Sequence, residues 1–184
     1  MSKFKWPMKY ILKVICILSV SVLFCGCEKI CSRCGWRVLD CINNADYEIS
    51  VYSMSVDENQ SRGVIYPDTT LPNIPPLRII DIDPRESKNV ISTHDQWDSF
   101  YEQFGTDTIS FFILSTDTLN EYGWTNIKNT YRILQRYDLS ISDLEAVHFR
   151  LPFPPNKIMK TVKMWPPYGT YDATGHRVDT TGTK

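Results

Sequence analysis

Between Val38 and Met54 the apolar positions fall into two runs separated by a polar cluster. The first run is Val38-Leu39-Asp40-Cys41-Ile42. The second, Tyr47 to Met54, alternates large with polar side chains at a period of two and is rich in Tyr, Ile and Val, the pattern of a half-buried strand. Asn43-Asn44-Ala45-Asp46 between them is turn chemistry, because Asn and Asp side chains bond nearby backbone. Residues 38–54 are therefore predicted to be two strands, or one strand bent at a loop. Arg78-Ile79-Ile80-Asp81-Ile82 predicts a short strand stopped by Asp83-Pro84. Within Thr108 to Ser115, the stretch Phe111-Phe112-Ile113-Leu114 is apolar on both faces, which predicts a central strand covered on two sides. Val147 to Leu151 alternates again, and Pro152, Pro154 and Pro155 close it.

Helical spacing occurs twice. Trp97, Phe100, Tyr101 and Phe104 recur at i, i+3, i+4 and i+7, with Thr93-His94-Asp95-Gln96 as a capping-box start and Gly105 as the stop. Trp124, Ile127, Tyr131 and Leu134 form a second stripe with Thr125 as its cap. Ser140 or Ser142 opens a further single turn. Pro67, Pro72, Pro75 and Pro76 lack amide donors, so Tyr66 to Leu77 is expected as extended coil. Met164-Trp165-Pro166-Pro167-Tyr168 is predicted to be a proline-locked apolar patch against the body, and residues 169–184, polar and rich in Thr and Gly, a disordered tail. The order of elements predicts one α+β domain over residues 38–168, with one mostly antiparallel sheet and two main helices. A β-sandwich with helical insertions is the alternative.

The amino terminus has a different pattern. Lys3, Lys5, Lys9 and Lys13 stand without an acid, and Val14 to Phe24 follows as an uncharged run. A basic start, a short apolar stretch and a small residue before a cleavage point describe a secretory signal peptide over residues 1–26. Met8-Lys9-Tyr10 offers a more compact alternative start to the same signal. Spanning a bilayer takes roughly 20 apolar residues, and this run is too short. Phe24-Cys25-Gly26-Cys27 resembles the lipobox of bacterial lipoproteins. That resemblance implies acyl chains on Cys27, a lipidated tether over residues 27–37 and a place in the cell envelope. Glu28 after the cysteine, rather than Asp, points to the outer membrane. Two acyl chains suffice for stable anchoring, so the membrane is the expected partner through Cys27.

The whole chain carries a net charge of −1, and removing a signal with four lysines makes the mature protein more acidic. It has no basic stripe interleaved with aromatics, which argues against nucleic acid as a partner. After lipidation of Cys27 and loss of Cys16 and Cys25, the cysteines are Cys31, Cys34 and Cys41. Cys31-Ser32-Arg33-Cys34 is a C-x-x-C, open to redox chemistry or half a zinc site with Cys41 as a third ligand. No His follows at zinc spacing, and the motif lies beside the tether. A structural disulfide among the three, or idle thiols, is the preferred reading.

No Gly-rich phosphate loop, G-x-S-x-G elbow or H-E-x-x-H helix occurs, so no catalytic or cofactor residue is assigned. His94, His148 and His176 are placed at a helix start, in a strand and in the tail; Asp81 and Asp83 could hold a divalent cation but are more simply a strand end. Asp-Thr pairs begin at Asp68, Asp107, Asp117 and Asp179. They resemble a short acceptor motif of periplasmic O-glycosylation, which would modify Thr69 and Thr180. Tyr137-Asp138-Leu139-Ser140 and Lys163-Met164-Trp165-Pro166-Pro167 resemble an uncharacterised family of small lipoproteins from Gram-negative gut bacteria. The resemblance implies an address and no activity. The resulting expectation is a membrane-anchored, non-enzymatic binding or accessory domain with an envelope protein or glycan as partner. An envelope hydrolase with a site built from loops such as 55–77 is the alternative.

Overall fold

One bent antiparallel ribbon organises the fold. Arg37–Asn43 (β1) continues through a corner into Ile49–Ser53 (β2), and Ile80–Ile82 (β3) continues through a second corner into Ser87–Thr93 (β4). β1 pairs with β4 and β2 with β3, so both corners lie at the same bend. The structure, a computed structural model, describes residues 36–53, 66–76 and 78–178. The chain divides after Trp36, and the unit described below begins at Arg37.

Above the bend the ribbon belongs to a three-stranded sheet ordered β4-β1-β7, where Arg150–Phe153 (β7) runs parallel to β1. Below it the ribbon joins a five-stranded antiparallel sheet ordered β3-β2-β5-β6-β8, with Ile109–Ser115 (β5), Gln135–Leu139 (β6) and Lys163–Trp165 (β8). The helices are Trp97–Phe104 (α1), Thr116–Thr130 (α2) and Ile141–Ala146 (α3), with a 3-10 turn at Lys157–Thr161. This is a single α+β domain, as the element order predicts. Its strands divide between two sheets rather than one, because period-two patterning identifies a buried face but not which sheet a strand joins.

The main core joins the inner faces of both sheets. Leu39, Cys41, Leu151 and Phe153 meet Ile49, Ile109, Phe111, Ile113 and Tyr137, and α1 adds Trp97, Phe100, Tyr101 and Phe104. A second cluster covers the other face of β5: Tyr52, Phe112 and Leu114 pack with Leu71, Trp124, Ile127 and Ile133. The strand predicted to be central is therefore the middle strand of its sheet and is covered on both faces.

Several local expectations need correction. Thr93 does not cap α1. It is the last residue of β4, its Oγ1 accepts from the Asp95 amide at 3.0 Å, and α1 starts from Gln96 without a side-chain cap. The second helix begins earlier than Thr125, capped by Ser115, and breaks at Gly123, whose φ of 72° no side-chain-bearing residue adopts cheaply. Leu134 lies beyond its end. Val147 to Phe149 closes α3 instead of opening a strand, with His148 and Phe149 left-handed at φ 53° and 55°. The stack of Phe149 on Trp97, at 5.2 Å and 12°, helps hold that geometry. Strands β4, β6 and β8 are not among the elements that the sequence pattern predicts.

Residues 169–178 are not a disordered tail. The Thr174 carbonyl accepts from the Asp46 amide at 3.2 Å, and the Tyr47 hydroxyl donates to the Gly175 carbonyl at 2.6 Å. Gly175 sits so close to the corner that a Cβ there would lie 2.7 Å from the Ala45 Cβ.

Truncating Trp97 or Phe112 to Ala is expected to cost about 3–5 kcal/mol, read from urea unfolding; a loss below ~1 kcal/mol at both would refute this core. Asn43→Ala removes two N–H donors, shared among three carbonyls, and the oxygen that accepts from the Ala45 amide, and at about 1 kcal/mol per bond the loss is expected near ~3 kcal/mol.

Candidate functional site

Cys27, Cys31, Cys34 and Thr180 lie outside the described residues. Cys41 does not. It is a free thiol, wholly buried on the core face of β1. Burial, and then the Asp40 carboxylate, push its pKa up to about 12, so it stays a neutral apolar filler near pH 7.

Thr69 is half-buried in the 66–76 coil, and its carbonyl accepts from the Tyr131 hydroxyl at 3.1 Å. Asp68 accepts from the Thr70 amide at 2.9 Å and hydroxyl at 2.7 Å, which holds its carboxyl below the usual range. The Asp81 carboxylate accepts from the Ser50 hydroxyl at 2.6 Å, whereas that of Asp83 pairs with Lys88 at 3.5 Å, so the two carboxylates serve different partners. Among the described residues no group of three or more His, Cys, Asp or Glu side chains is placed to hold a metal. His148 closes α3, and His176 lies 3.1 Å from Asp46 against the corner.

A buried polar chain crosses the outer face of the large sheet. Ser110 and Asp138 face each other across β5 and β6, and the Ser110 hydroxyl donates to Asp138 at 2.7 Å. Arg136, two residues along the same face, pairs with Asp138 at 3.1 Å and donates to the Tyr131 hydroxyl at 2.8 Å. A buried carboxylate with both an ion pair and a hydroxyl donor is satisfied. Its consequence is positional: it fixes Tyr131, and Tyr131 fixes the coil at Thr69. Fully buried Gln135 donates to the Pro166 carbonyl at 2.8 Å, and its Oε1 has no partner among the described residues.

The richest cavity lies where the bent ribbon meets the segments after β7 and β8. It encloses about 500 Å³ and is lined by Asn44, Arg85, Asn156, Lys157, Tyr168, Tyr171 and Asp172, with Pro154 and Pro155 in its wall. Each polar group has a local reason for its place. Asn44 follows β1 into one corner and donates its amide to the Phe153 carbonyl at 2.7 Å. Arg85 occupies the other corner at φ 64°. Asn156 caps the 3-10 turn by accepting from the Ile158 amide at 3.0 Å. Tyr171 is anchored by its hydroxyl donating to the Leu134 carbonyl at 2.6 Å, with its ring edge-on to Phe153 at 5.6 Å.

Asp172, the one carboxylate of the cavity, accepts from the Thr174 hydroxyl at 2.7 Å, the Thr174 amide at 2.8 Å and the His176 amide at 3.0 Å. These bonds, led by the Thr174 hydroxyl, lower its pKa. A carboxylate committed to its own turn is a poor general base. Two phenol rings, two carboxamides, a guanidinium and an ammonium remain, a set suited to recognising a polar ligand. Sequence reasoning missed this site because its residues come from four separate segments and form no motif.

No family model, curated protein or solved structure matches this chain. Among the described residues no helix is long and apolar enough to cross a membrane.

The Cys41 environment has a titratable signature. Its folded pKa lies above the ordinary thiol value of 9.0, so the folded state keeps the proton longer than the unfolded state. Stability from this group is complete below about pH 9 and falls as pH rises toward about 12, with a slope approaching ~1.4 kcal/mol per pH unit. Urea unfolding from pH 8 to 11 is expected to show that decline, shallower in Cys41→Ala. An identical slope in both proteins would remove the thiol from the account.

Proposed function

We propose that this chain is a lipid-anchored binding domain of a bacterial cell envelope, held by acyl chains on Cys27 and engaging an envelope protein or glycan. The observation that carries the binding role is the 500 Å³ cavity at the ribbon bend, lined by tyrosines, carboxamides and uncompensated cations. Arg85 and Lys157 have no carboxylate within ion-pair distance among the described residues. A cation left open beside an aromatic wall is available to a ligand, and the rigid corner behind it lowers the ordering cost of binding. The anchor rests on the lipobox resemblance, and Glu28 after Cys27 favours the outer membrane.

Cys27→Ala is expected to abolish palmitate labelling and release the protein from the membrane fraction. In the lipidated protein, the double change Arg85→Glu with Lys157→Glu is expected to lose partners captured from native membranes while the far-UV spectrum stays unchanged. Normal labelling of Cys27→Ala would refute the anchor. An unchanged partner set in the charge-reversed protein would refute the cavity.

A further inference from the structure

Trp165, the last residue of β8, is 42% exposed, although it lies in a domain that buries most of its large aromatics. Its ring packs against Tyr131 at 5.4 Å between centroids, so it is held in place. Tyr131 is itself locked by Arg136 and by the Thr69 carbonyl. The two rings border a cleft of about 300 Å³, separate from the cavity at the ribbon bend, which also receives Arg132, Arg177, Ser115 and Thr118. No carboxylate lines it.

Both arginines are braced by aromatic faces. The Arg132 guanidinium lies 4.7 Å from the Tyr122 ring centre, and that of Arg177 lies 5.9 Å from the Tyr171 ring centre. Stacking on a ring steadies a guanidinium without supplying an acceptor for its N–H groups. Among the described residues, neither arginine has a carboxylate partner or a side-chain hydrogen bond. The cleft thus presents two steadied forks with open donors beside an exposed indole. Fork-shaped donors match carboxylate and phosphate oxygens, and an indole face packs against the apolar face of a ring.

We propose that this cleft binds an acidic sugar, its carboxylate or phosphate taken by Arg132 and Arg177 and its ring lying on Trp165. The volume is at the lower end for a ligand pocket, which fits one ring-sized unit. Two cations are too few to track the backbone of a single-stranded nucleic acid, whose binding needs a continuous charged groove. The attraction is electrostatic and partly exposed, so it weakens as salt rises.

The test is calorimetric titration of the lipidated protein in detergent with D-glucuronate, glucose 6-phosphate, D-glucose and inorganic phosphate. Either acidic sugar is expected to bind at least about ten-fold tighter than glucose. Binding of glucuronate alone identifies a carboxylate site; binding of glucose 6-phosphate alone, a phosphate site. Arg132→Gln and Arg177→Gln should each weaken binding about ten-fold, and their combination should abolish it. Trp165→Ala should weaken the acidic sugar and leave inorganic phosphate unchanged. Lys157→Gln, in the other cavity, should change nothing here. Equal affinity for glucose, no binding of either acidic sugar, or undiminished binding in a folded double arginine variant would overturn the proposal. So would a single-stranded oligonucleotide that displaces the sugar and binds more tightly.

Discussion

Everything in this fold turns on how a hydrogen-bonded ribbon can leave one sheet and enter another without stranding its backbone. At the bend, residues 43–48 on one side face residues 83–86 on the other, so the ladder cannot continue in register. Carbonyls at the bend, those of Tyr47, Ile82 and Asp83 among them, need donors there, and the Asp83 carbonyl takes one from the Glu86 amide at 3.2 Å. Asn43 serves all three: the two N–H groups of its fully buried carboxamide are shared among them at 2.8, 3.0 and 3.1 Å, and its oxygen accepts from the Ala45 amide at 2.9 Å. Asp in this place would offer no donor and set a negative charge against three carbonyl oxygens. Ser would be too short to reach them together. From outside, the 169–178 turn closes on the same corner, where only a glycine fits at position 175.

Because the ribbon bends, its two halves face each other and the main core forms between them. That leaves the opposite face of the large sheet to be covered separately. α2 and the 66–76 coil cover it, tied together by the Trp124 indole donating to the Pro72 carbonyl at 2.9 Å. The coil has few backbone donors of its own, so side chains from the helix and from Tyr131 hold it. The chain from Ser110 through Asp138 and Arg136 to Tyr131 therefore links the centre of the sheet to a surface ring. Trp165 packs on the end of this chain through its contact with Tyr131.

The parts of this architecture legible in the sequence are those where one physical term dominates. The α1 stripe from Trp97 to Phe104 and the double-faced run from Phe111 to Leu114 are set by burial alone, and both lie where their periodicity puts them. Strand β6 was hidden because its buried positions include Gln135 and Asp138, which look like surface residues until Pro166, Ser110 and Arg136 are brought to them by distant segments. Strand β4 opens with Ser87-Lys88-Asn89, an edge sequence without a clear alternation. The final turn looked disordered because its order comes from contacts with Asp46 and Tyr47, far away in sequence. Candidate site residues were illegible for the same reason. Arg85, Lys157, Tyr168 and Tyr171 mean little singly and acquire a role only where two corners and two chain segments converge.

The distribution of committed and uncommitted charge gives these cavities their chemical character. The protein is acidic overall, yet its cavities at the bend and beside Trp165 hold a single carboxylate, Asp172, whose bonds are taken up by its own turn. Asp138 is likewise consumed by Arg136 and Ser110. Proton-transfer chemistry needs a titratable group with an open lone pair or proton aimed into a cavity. In these cavities the one acid, Asp172, is occupied, while Arg85, Lys157, Arg132 and Arg177 keep open donors beside tyrosine and tryptophan rings. Permanent charge on steadied side chains suits recognition, because it attracts and orients an anionic or hydroxyl-rich ligand without changing protonation state. The same corner and polar chain that solve the folding problem place Asn44, Arg85 and Tyr131 at the edges of these cavities, so the cavities' geometry follows from the requirement to bend one ribbon between two sheets.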